Sequence, residues 1–297
     1  MSNIFYIFYS AFYNTPNLYK SICGENIINN FSNDKSEFCK NHWDIQSIIE
    51  LMSDIFFPSL PFSCPSWCPH FFRKMFFGGS STFIKSSKEK KDDQFWIYVN
   101  GILTNKKIIE MNRILLEDMF DRPIHVVHNV SDSIFVDLIE CLVGKQYEDL
   151  TEPAFVTLVA ITKKLLDNKI KKIVIICHSQ GTIVVGNVIN SLKKMGFIHK
   201  KYLKKLEIYA VANCATNMEY ILKNEQLPYI ESFSNENDFV SRLGCNASDD
   251  IKKSCDIKID GSVIIIPNKH GHMFNSHYFN NFENEYQESK LYRYLPN

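Results

Sequence analysis

The sequence predicts an α/β fold in which a mostly parallel sheet lies between two layers of helices. From residue 94 onward, short runs rich in β-branched residues alternate with longer runs of helical periodicity. The strand-like runs are mostly apolar, which is typical of parallel strands that are covered on both faces. Strands that alternate with helices in this way form a three-layer α/β/α domain.

The elements of this domain follow one another in a regular order. β-branched and aromatic runs predict strands at Phe95–Val99, Ile124–Val127, Lys172–Cys177, Leu206–Val211, Tyr229–Phe233 and Ser262–Pro267. Helical periodicity predicts helices at Asn105–Phe120, Ser133–Val143, Glu152–Asp167 and Gln180–Lys194, with a C-terminal helix after Met273.

Residues 1–93 differ in character, and we predict that they form an N-terminal extension to a core domain of residues 94–297. The extension contains a predicted helix at Trp43–Phe56 and the charged run Lys85–Asp93, which is typical of a solvated loop. The aromatic residues within 56–77 predict a cap or lid, or a surface for peripheral lipid contact. The alternative is that these aromatic residues simply pack the extension against the core.

Composition excludes some classes of partner. The 33 basic residues balance the 33 acidic ones, so the chain has no net field to attract nucleic acid. No apolar run reaches the roughly 18 residues of a transmembrane helix, and the N-terminus does not resemble a secretory signal.

The nine cysteines are an odd number spread thinly along the chain, which favours free thiols, a reducing compartment and a cytoplasmic location. Heavy use of Asn, Ile, Lys, Phe and Tyr is typical of AT-rich genomes, including those of large DNA viruses; a viral source would place the protein in host cytoplasm or the virion.

One spacing invites a metal interpretation. Cys64-x3-Cys68-x-His70, with Cys39 or His42 as a fourth ligand, offers the residue types of a structural zinc site. The prolines interspersed in this stretch favour a stiff, turn-rich loop instead. We therefore expect no metal.

A candidate nucleophile follows the third predicted strand. The strand runs into Cys177-His178-Ser179-Gln180-Gly181-Thr182, and an apolar helix comes next. A serine at a sharp strand-to-helix turn is lifted out of the sheet, and the next amide and the helix N-terminus face the developing oxyanion. This turn needs small residues two before and two after the serine; Gly181 fits, and Cys177 replaces a more usual glycine. A serine in an ordinary loop is the alternative, but the flanking strand and helix favour the nucleophile.

With this context, His178-Ser179-Gln180-Gly181-Thr182 resembles the nucleophile turn of the esterase and lipase branch of the α/β-hydrolase superfamily. The resemblance extends from about Gln94 to the C-terminus and leaves residues 1–93 unmatched. It implies a three-layer hydrolase fold and acyl transfer through a serine–acid–histidine triad, with no metal and no organic cofactor.

The resemblance also implies a second oxyanion donor in a loop after an earlier strand. The strand Phe95–Val99 ends in Asn100-Gly101-Ile102, where a glycine lets the backbone turn without a side chain in the pocket. The donors are expected to be the Gln180 amide and the amide of Ile102 or Gly101. A tight Asn-Gly turn without such a role is the alternative.

The acid is expected between the serine and the histidine in chain order. After the strand Tyr229–Phe233, the segment around Asp238 is similar to the family's N-x-x-D-x-V pattern. Asp238 would hold the histidine tautomer and stabilise the imidazolium. Glu231, Glu236 and a merely solvated aspartate are the alternatives.

Three histidines compete for the role of general base. They follow the last predicted strand, and Gly271-His272 best resembles the family's loop histidine. His277 lies near the start of the C-terminal helix, where it would support the site or act as the base itself. His270 is the third candidate.

These residues predict a serine hydrolase that cleaves a small-molecule or lipid ester. A catalytically silent hydrolase fold used for binding or scaffolding is the alternative, and it predicts no histidine nitrogen close to the Ser179 hydroxyl. Thioester cleavage or transacylation would use the same residues, because hydrolase folds host many reactions.

Overall fold

The computed structural model describes residues 20–21, 24, 33–37, 39–44, 81–90, 93–101, 104–129 and 151–296. Its strands are β1 (Thr82–Ile84), β2 (Gln94–Val99), β3 (Ile124–His128), β4 (Lys172–His178), β5 (Leu206–Val211), β6 (Asn217–Met218), β7 (Tyr229–Asn235), β8 (Lys258–Ile259) and β9 (Ser262–Ile266). Its α-helices are α1 (Lys106–Phe120), α2 (Glu152–Leu165), α3 (Gln180–Lys194), α4 (Lys200–Leu203), α5 (Asp249–Ser254) and α6 (Phe282–Glu285). A π-helix spans Phe274–Phe279, and 3-10 turns span Lys40–His42, Lys223–Glu225, Ser241–Leu243 and Leu291–Tyr294.

Seven of these strands form one sheet in the order β1-β3-β2-β4-β5-β7-β9. Neighbouring strands are parallel except for β1, which runs antiparallel to β3. The strands β6 and β8 form a separate parallel pair. The predicted, mostly parallel central sheet is therefore confirmed.

The central strands send alternate side chains into two apolar cores, one on each face of the sheet. On β2, Phe95, Ile97 and Val99 join one core, whereas Trp96 and Tyr98 join the other. Helices α2, α3 and α4 supply the helical residues of the first core, and α1 and the C-terminal residues 274–291 supply those of the second. Because both faces are covered, these strands are apolar at most positions. The three-layer α/β/α fold class is confirmed.

Local sequence signals explain where α1 begins and ends. The Asn105 side chain accepts hydrogen bonds from the amides of Lys107 and Ile108, at 3.1 and 3.0 Å, which satisfies donors that the helix leaves free. The helix ends at Asp121, whose φ of 46° is left-handed.

The C-terminal region differs from the predicted single helix. Residues Phe274–Phe279 form a π-helix, in which the Asn280 amide donates to the Asn275 carbonyl over 2.7 Å, and α6 follows as a separate short helix. The aromatic side chains of this region enter the second core. The predicted helix Ser133–Val143, the aromatic stretch 56–77 and most of Trp43–Phe56 lie outside the described residues.

The short edge strand β1 lies on the N-terminal side of the predicted boundary at residue 93, yet it pairs with β3 in the central sheet. The described part of the charged run after it is largely exposed, and Lys88 and Lys90 form ion pairs with Asp118 and Asp121 at 2.9 and 2.8 Å. The predicted division into 1–93 and 94–297 therefore does not follow the edge of the sheet. Whether residues 1–93 cap a pocket stays a prediction.

Candidate active site

Ser179 lies between the end of β4 and the start of α3, and its backbone is strained. Its φ of 54° and ψ of −126° are unusual for any residue with a side chain. Such strain persists only where the surrounding structure fixes it. Here the Ser179 amide donates to the Val211 carbonyl over 3.0 Å, and the Thr182 hydroxyl donates to the Ser179 carbonyl over 2.7 Å. The turn thus has the geometry that presents a nucleophilic hydroxyl.

Two glycines allow the chain to pass close to this turn. A Cβ on Gly181 would lie 2.8 Å from the carbonyl oxygen of Asn100. A Cβ on Gly101 would lie 2.5 Å from the Ser179 Cβ and 3.2 Å from its Oγ. Only glycine fits at either position. Cys177, which stands where the motif more often has glycine, is fully buried, and burial raises the pKa of its thiol.

The loops after β7 and β9 bring an aspartate and a histidine to Ser179. His272 Nε2 lies 3.0 Å from Ser179 Oγ, and His272 Nδ1 lies 3.0 and 3.1 Å from the two carboxylate oxygens of Asp238. A carboxylate only accepts hydrogen bonds, so Nδ1 donates to Asp238 and Nε2 is left to accept the serine proton. All three side chains are buried.

The other candidates for acid and base have different partners. His277 Nδ1 accepts a hydrogen bond from the Met273 amide over 2.9 Å, and His270 Nε2 lies 3.3 Å from the side-chain amide of Asn237. Glu231 accepts a hydrogen bond from the Ser289 hydroxyl over 2.5 Å, and Glu236 accepts one from the Asn268 amide over 2.6 Å.

Sequence reasoning missed two donors to Asp238. The Tyr278 hydroxyl donates to Oδ2 over 2.6 Å and accepts from the Asn235 amide over 3.0 Å, while the Val240 amide donates to Oδ1 over 2.9 Å. Burial raises the pKa of Tyr278 well above its ordinary value, so the phenol stays neutral and keeps its proton for donation. Tyr278 is 40 residues from Asp238 in the chain, and no local pattern marks it.

His178 is a second residue that sequence reasoning did not assign. Its Nε2 donates to the backbone carbonyl of His272 over 2.9 Å, and the two rings lie 4.8 Å apart. Burial lowers the pKa of His178 well below its ordinary value, so its ring stays neutral beside His272. His178 therefore supports the backbone of the loop that carries His272.

A buried amide network joins the segments that carry the expected oxyanion donors. Asn100 Nδ2 donates to the carbonyls of Gly101 and Asn129, at 2.8 and 2.9 Å, and the Asn129 side chain donates to Gln180 Oε1 over 2.5 Å. The Thr104 hydroxyl also donates to the Gly101 carbonyl over 2.8 Å. Gly101 and Gln180 thus flank Ser179 and are connected to each other, whereas Ile102 lies outside the described residues.

The buried histidines predict how stability depends on pH. Burial lowers the pKa of His125 to about 4 and also lowers those of His128 and His178, whereas an unfolded histidine has a pKa of about 6.5. Below pH 6.5 these three histidines therefore bind more protons in the unfolded chain than in the folded one. We expect the free energy of unfolding to fall as the pH drops from 6.5 towards 4, by up to about 1.4 kcal/mol per pH unit for each proton.

Urea denaturation at a series of pH values measures this dependence. The variant His125→Gln removes one titrating ring. Its free energy of unfolding should therefore fall less steeply with decreasing pH than that of the wild type. Equal slopes for the two proteins would contradict the assignment of this dependence to buried neutral histidines.

Only two of the five candidate zinc ligands lie within the described residues. Cys39 and His42 lie beside Asp34, with Cys39 Sγ 3.4 Å from Asp34 Oδ1 and His42 Nε2 2.7 Å from the Asp34 carbonyl oxygen. Cys64, Cys68 and His70 lie outside the described residues.

Among the described helices, none combines the length and the apolar character needed to cross a bilayer. The cysteines of the described part are free thiols, namely Cys39, Cys177, Cys214, Cys245 and Cys255. The cytoplasmic location stays a prediction.

Comparisons with known proteins find solved structures that are similar to this chain only at low sequence identity and low TM-score. No protein-family model matches the chain, and no curated protein matches it. A dienelactone hydrolase from Anabaena variabilis is 11% identical over 67% of this chain and 90% of its own, with a TM-score of 0.38. A lipase-esterase related protein from Clostridium acetobutylicum is 11% identical over 66% of this chain and 93% of its own, with a TM-score of 0.35.

Identities and TM-scores this low carry no argument about activity. The fold assignment rests on the chain itself: a mostly parallel sheet, a strained serine between a strand and a helix, and an acid and a histidine that follow it in that order. This chain has the α/β-hydrolase fold.

Proposed function

We propose that this protein is a serine hydrolase that cleaves carboxylic esters through an acyl-enzyme. The observation that carries the proposal is the 3.0 Å distance between Ser179 Oγ and His272 Nε2, with Asp238 on the opposite side of the imidazole. A nucleophile, a base and a residue that orients the base form the minimal set for nucleophilic acyl transfer.

The first half of the reaction forms the acyl-enzyme. Ser179 Oγ attacks the ester carbonyl carbon while His272 Nε2 takes the hydroxyl proton. The tetrahedral intermediate collapses when its bond to the alkoxy oxygen breaks, and His272 gives its proton to the departing alcohol. Asp238 remains ionised and stabilises the imidazolium between these two transfers.

The second half restores the enzyme. Water loses a proton to His272 and attacks the acyl carbon, and the bond to Ser179 Oγ breaks as the serine regains that proton. In both halves the negative oxygen is stabilised by the Gln180 amide, at the N-terminus of α3, and by the amide of Gly101 or Ile102.

The proposed substrate class is a small-molecule or lipid ester. The aromatic residues of 56–77 are the proposed site of lipid contact. A panel of p-nitrophenyl esters with increasing acyl length tests this part of the proposal, because a lipid-active enzyme should favour long chains. Acyl thioesters, which the same residues would cleave, belong in that panel.

The silent-fold alternative would be favoured if no histidine nitrogen could approach the serine hydroxyl. The contact between Ser179 and His272 supports catalysis over that alternative.

A fluorophosphonate probe tests the proposed function directly. We expect the wild type to be labelled and Ser179→Ala to lose the label, because the probe reacts with an activated serine hydroxyl. Ser289→Ala, which changes a buried serine bound to Glu231, should label like the wild type. Equal labelling of Ser179→Ala and the wild type would remove Ser179 as the nucleophile.

A further inference from the structure

We propose that Ser21 is a positioning residue that fixes Asp238 relative to His272; this inference rests on the proposed function. Ser21 belongs to the N-terminal segment, defined here as the described residues within 20–44. This segment packs against the two loops that carry the acid and the base. None of its residues was a candidate for the active site by sequence pattern.

The Ser21 hydroxyl holds both peptide groups next to Asp238. It donates to the carbonyl oxygen of Asn237 over 2.6 Å and accepts from the amide of Phe239 over 2.6 Å. Ser21 is fully buried, so water does not readily replace these bonds. The turn that carries the Asp238 carboxylate is therefore tied from both sides by one side chain.

The backbone of Ser21 reaches the loop of the base. Its carbonyl oxygen accepts from the Gly271 amide over 3.1 Å, directly before His272. Gly271 has a φ of 101°, a conformation that favours glycine, and its own carbonyl accepts from the Asn235 side chain over 2.9 Å. Ser21 thus connects the acid loop to the base loop.

A second anchor keeps the N-terminal segment in this position. The carboxylate of Glu37 is buried and accepts hydrogen bonds from the Asn275 amide, the Ser276 amide (3.0 Å) and the Ser276 hydroxyl (2.5 Å). Trp43 Nε1 donates to the Glu37 carbonyl over 2.8 Å. The segment therefore contacts the histidine loop both before and after His272, which makes its contact through Ser21 part of a larger interface.

Removing the Ser21 hydroxyl leaves a buried donor and a buried acceptor beside Asp238 without this partner. The turn then loses two of the hydrogen bonds that hold it, and any shift of the turn moves the carboxylate relative to His272 Nδ1. A displacement of about 1 Å in a catalytic arrangement lowers rates by about 100-fold. We expect Ser21→Ala to lower kcat for p-nitrophenyl acetate by about 10- to 100-fold, with KM changed less than about twofold because Ser21 does not contact the reacting atoms.

Proton NMR of the full chain reports the same geometry without turnover. The Nδ1 proton of His272, bonded to a carboxylate, gives a resonance far downfield, and its loss in His272→Gln assigns it. We expect Ser21→Ala to shift or broaden this resonance. Ser21→Cys keeps the approximate size of the side chain but has a weaker donor. This variant should fold even if Ser21→Ala does not. Its kcat and the position of its His272 Nδ1 proton resonance should lie between those of the wild type and Ser21→Ala.

Ser289→Ala is the matched control. The Ser289 hydroxyl is fully buried and also bridges two partners, donating to Glu231 over 2.5 Å and accepting from the Leu291 amide over 2.9 Å. This control should lower the Tm but leave kcat and the His272 resonance unchanged. The proposal is overturned if Ser21→Ala leaves both kcat and the His272 resonance unchanged; where Ser21→Ala does not fold, Ser21→Cys takes its place. It is also overturned if Ser289→Ala changes kcat and the resonance as much as the Ser21 variant does.

The two proposals fail in different ways. A wild type that hydrolyses no ester, but whose His272 resonance moves in Ser21→Ala or Ser21→Cys, contradicts the proposed function and leaves the positioning role intact. An active wild type whose Ser21 variants keep both kcat and the resonance contradicts the positioning role alone.

Discussion

We expect His272→Gln to lower kcat for ester hydrolysis by about 10⁴- to 10⁶-fold. A serine hydroxyl is a weak nucleophile until a neighbouring base takes its proton, and His272 Nε2 is 3.0 Å from Ser179 Oγ. Glutamine has similar polarity but no basic nitrogen, so proton transfer is lost while much of the packing is kept. Steady-state kinetics with p-nitrophenyl acetate measures the effect.

The other two candidate histidines provide controls for this result. His270→Gln should leave kcat within about threefold of the wild type, because His270 contacts Asn237 rather than Ser179. His277→Gln should lower the Tm by removing the acceptor of the Met273 amide, with a far smaller loss of kcat than His272→Gln. A loss of activity in His277→Gln as large as in His272→Gln would reopen the choice of base.

Gly101→Ala should lower kcat/KM by about 100- to 1000-fold. The added Cβ would lie 2.5 Å from the Ser179 Cβ and 3.2 Å from its Oγ, so either the serine or the loop after β2 must move. Moving the serine disturbs its approach to His272, and moving the loop displaces an expected oxyanion donor. Both outcomes reduce transition-state stabilisation while leaving the sheet intact. Kinetics and fluorophosphonate labelling rates measure the effect.

Gly196→Ala is a suitable comparison. Gly196 has a φ of 79°, so alanine there is strained by about 1–2 kcal/mol, but its Cβ would meet nothing within 4 Å. This variant should lose stability and keep its activity. If Gly101→Ala hydrolyses esters as fast as Gly196→Ala, the close approach of Gly101 to Ser179 has no catalytic consequence.

The fold was largely predictable because its signals are local and strong. The helix Gln180–Lys194 and the strand Leu206–Val211 have the predicted bounds, since the apolar pattern of each lies within its own segment. The edge strand β1 was missed because it is three residues long and precedes a charged run. The π-helix was missed because its hydrogen bonds depend on how Phe274 and Phe279 pack in the second core, and the sequence period does not show this.

The candidate site divides in a similar way. Ser179, Asp238 and His272 each follow a strand, and parallel strands end at the same edge of the sheet, so their convergence was expected from chain order. The partners Tyr278 and Ser21 are separated from Asp238 by 40 and about 217 residues, and no short pattern connects them to it. Such residues are found only from contacts.

The sequence by itself determined the layered architecture and the order of the candidate nucleophile, acid and base along the chain. Apolar periodicity and turn chemistry act over a few residues, so they can be read directly from neighbouring positions. Only the tertiary structure decided which histidine lies beside Ser179 and which buried groups hold Asp238 in place. Those choices depend on distances between residues far apart in the chain, and such distances exist only once the sheet has brought its loops together.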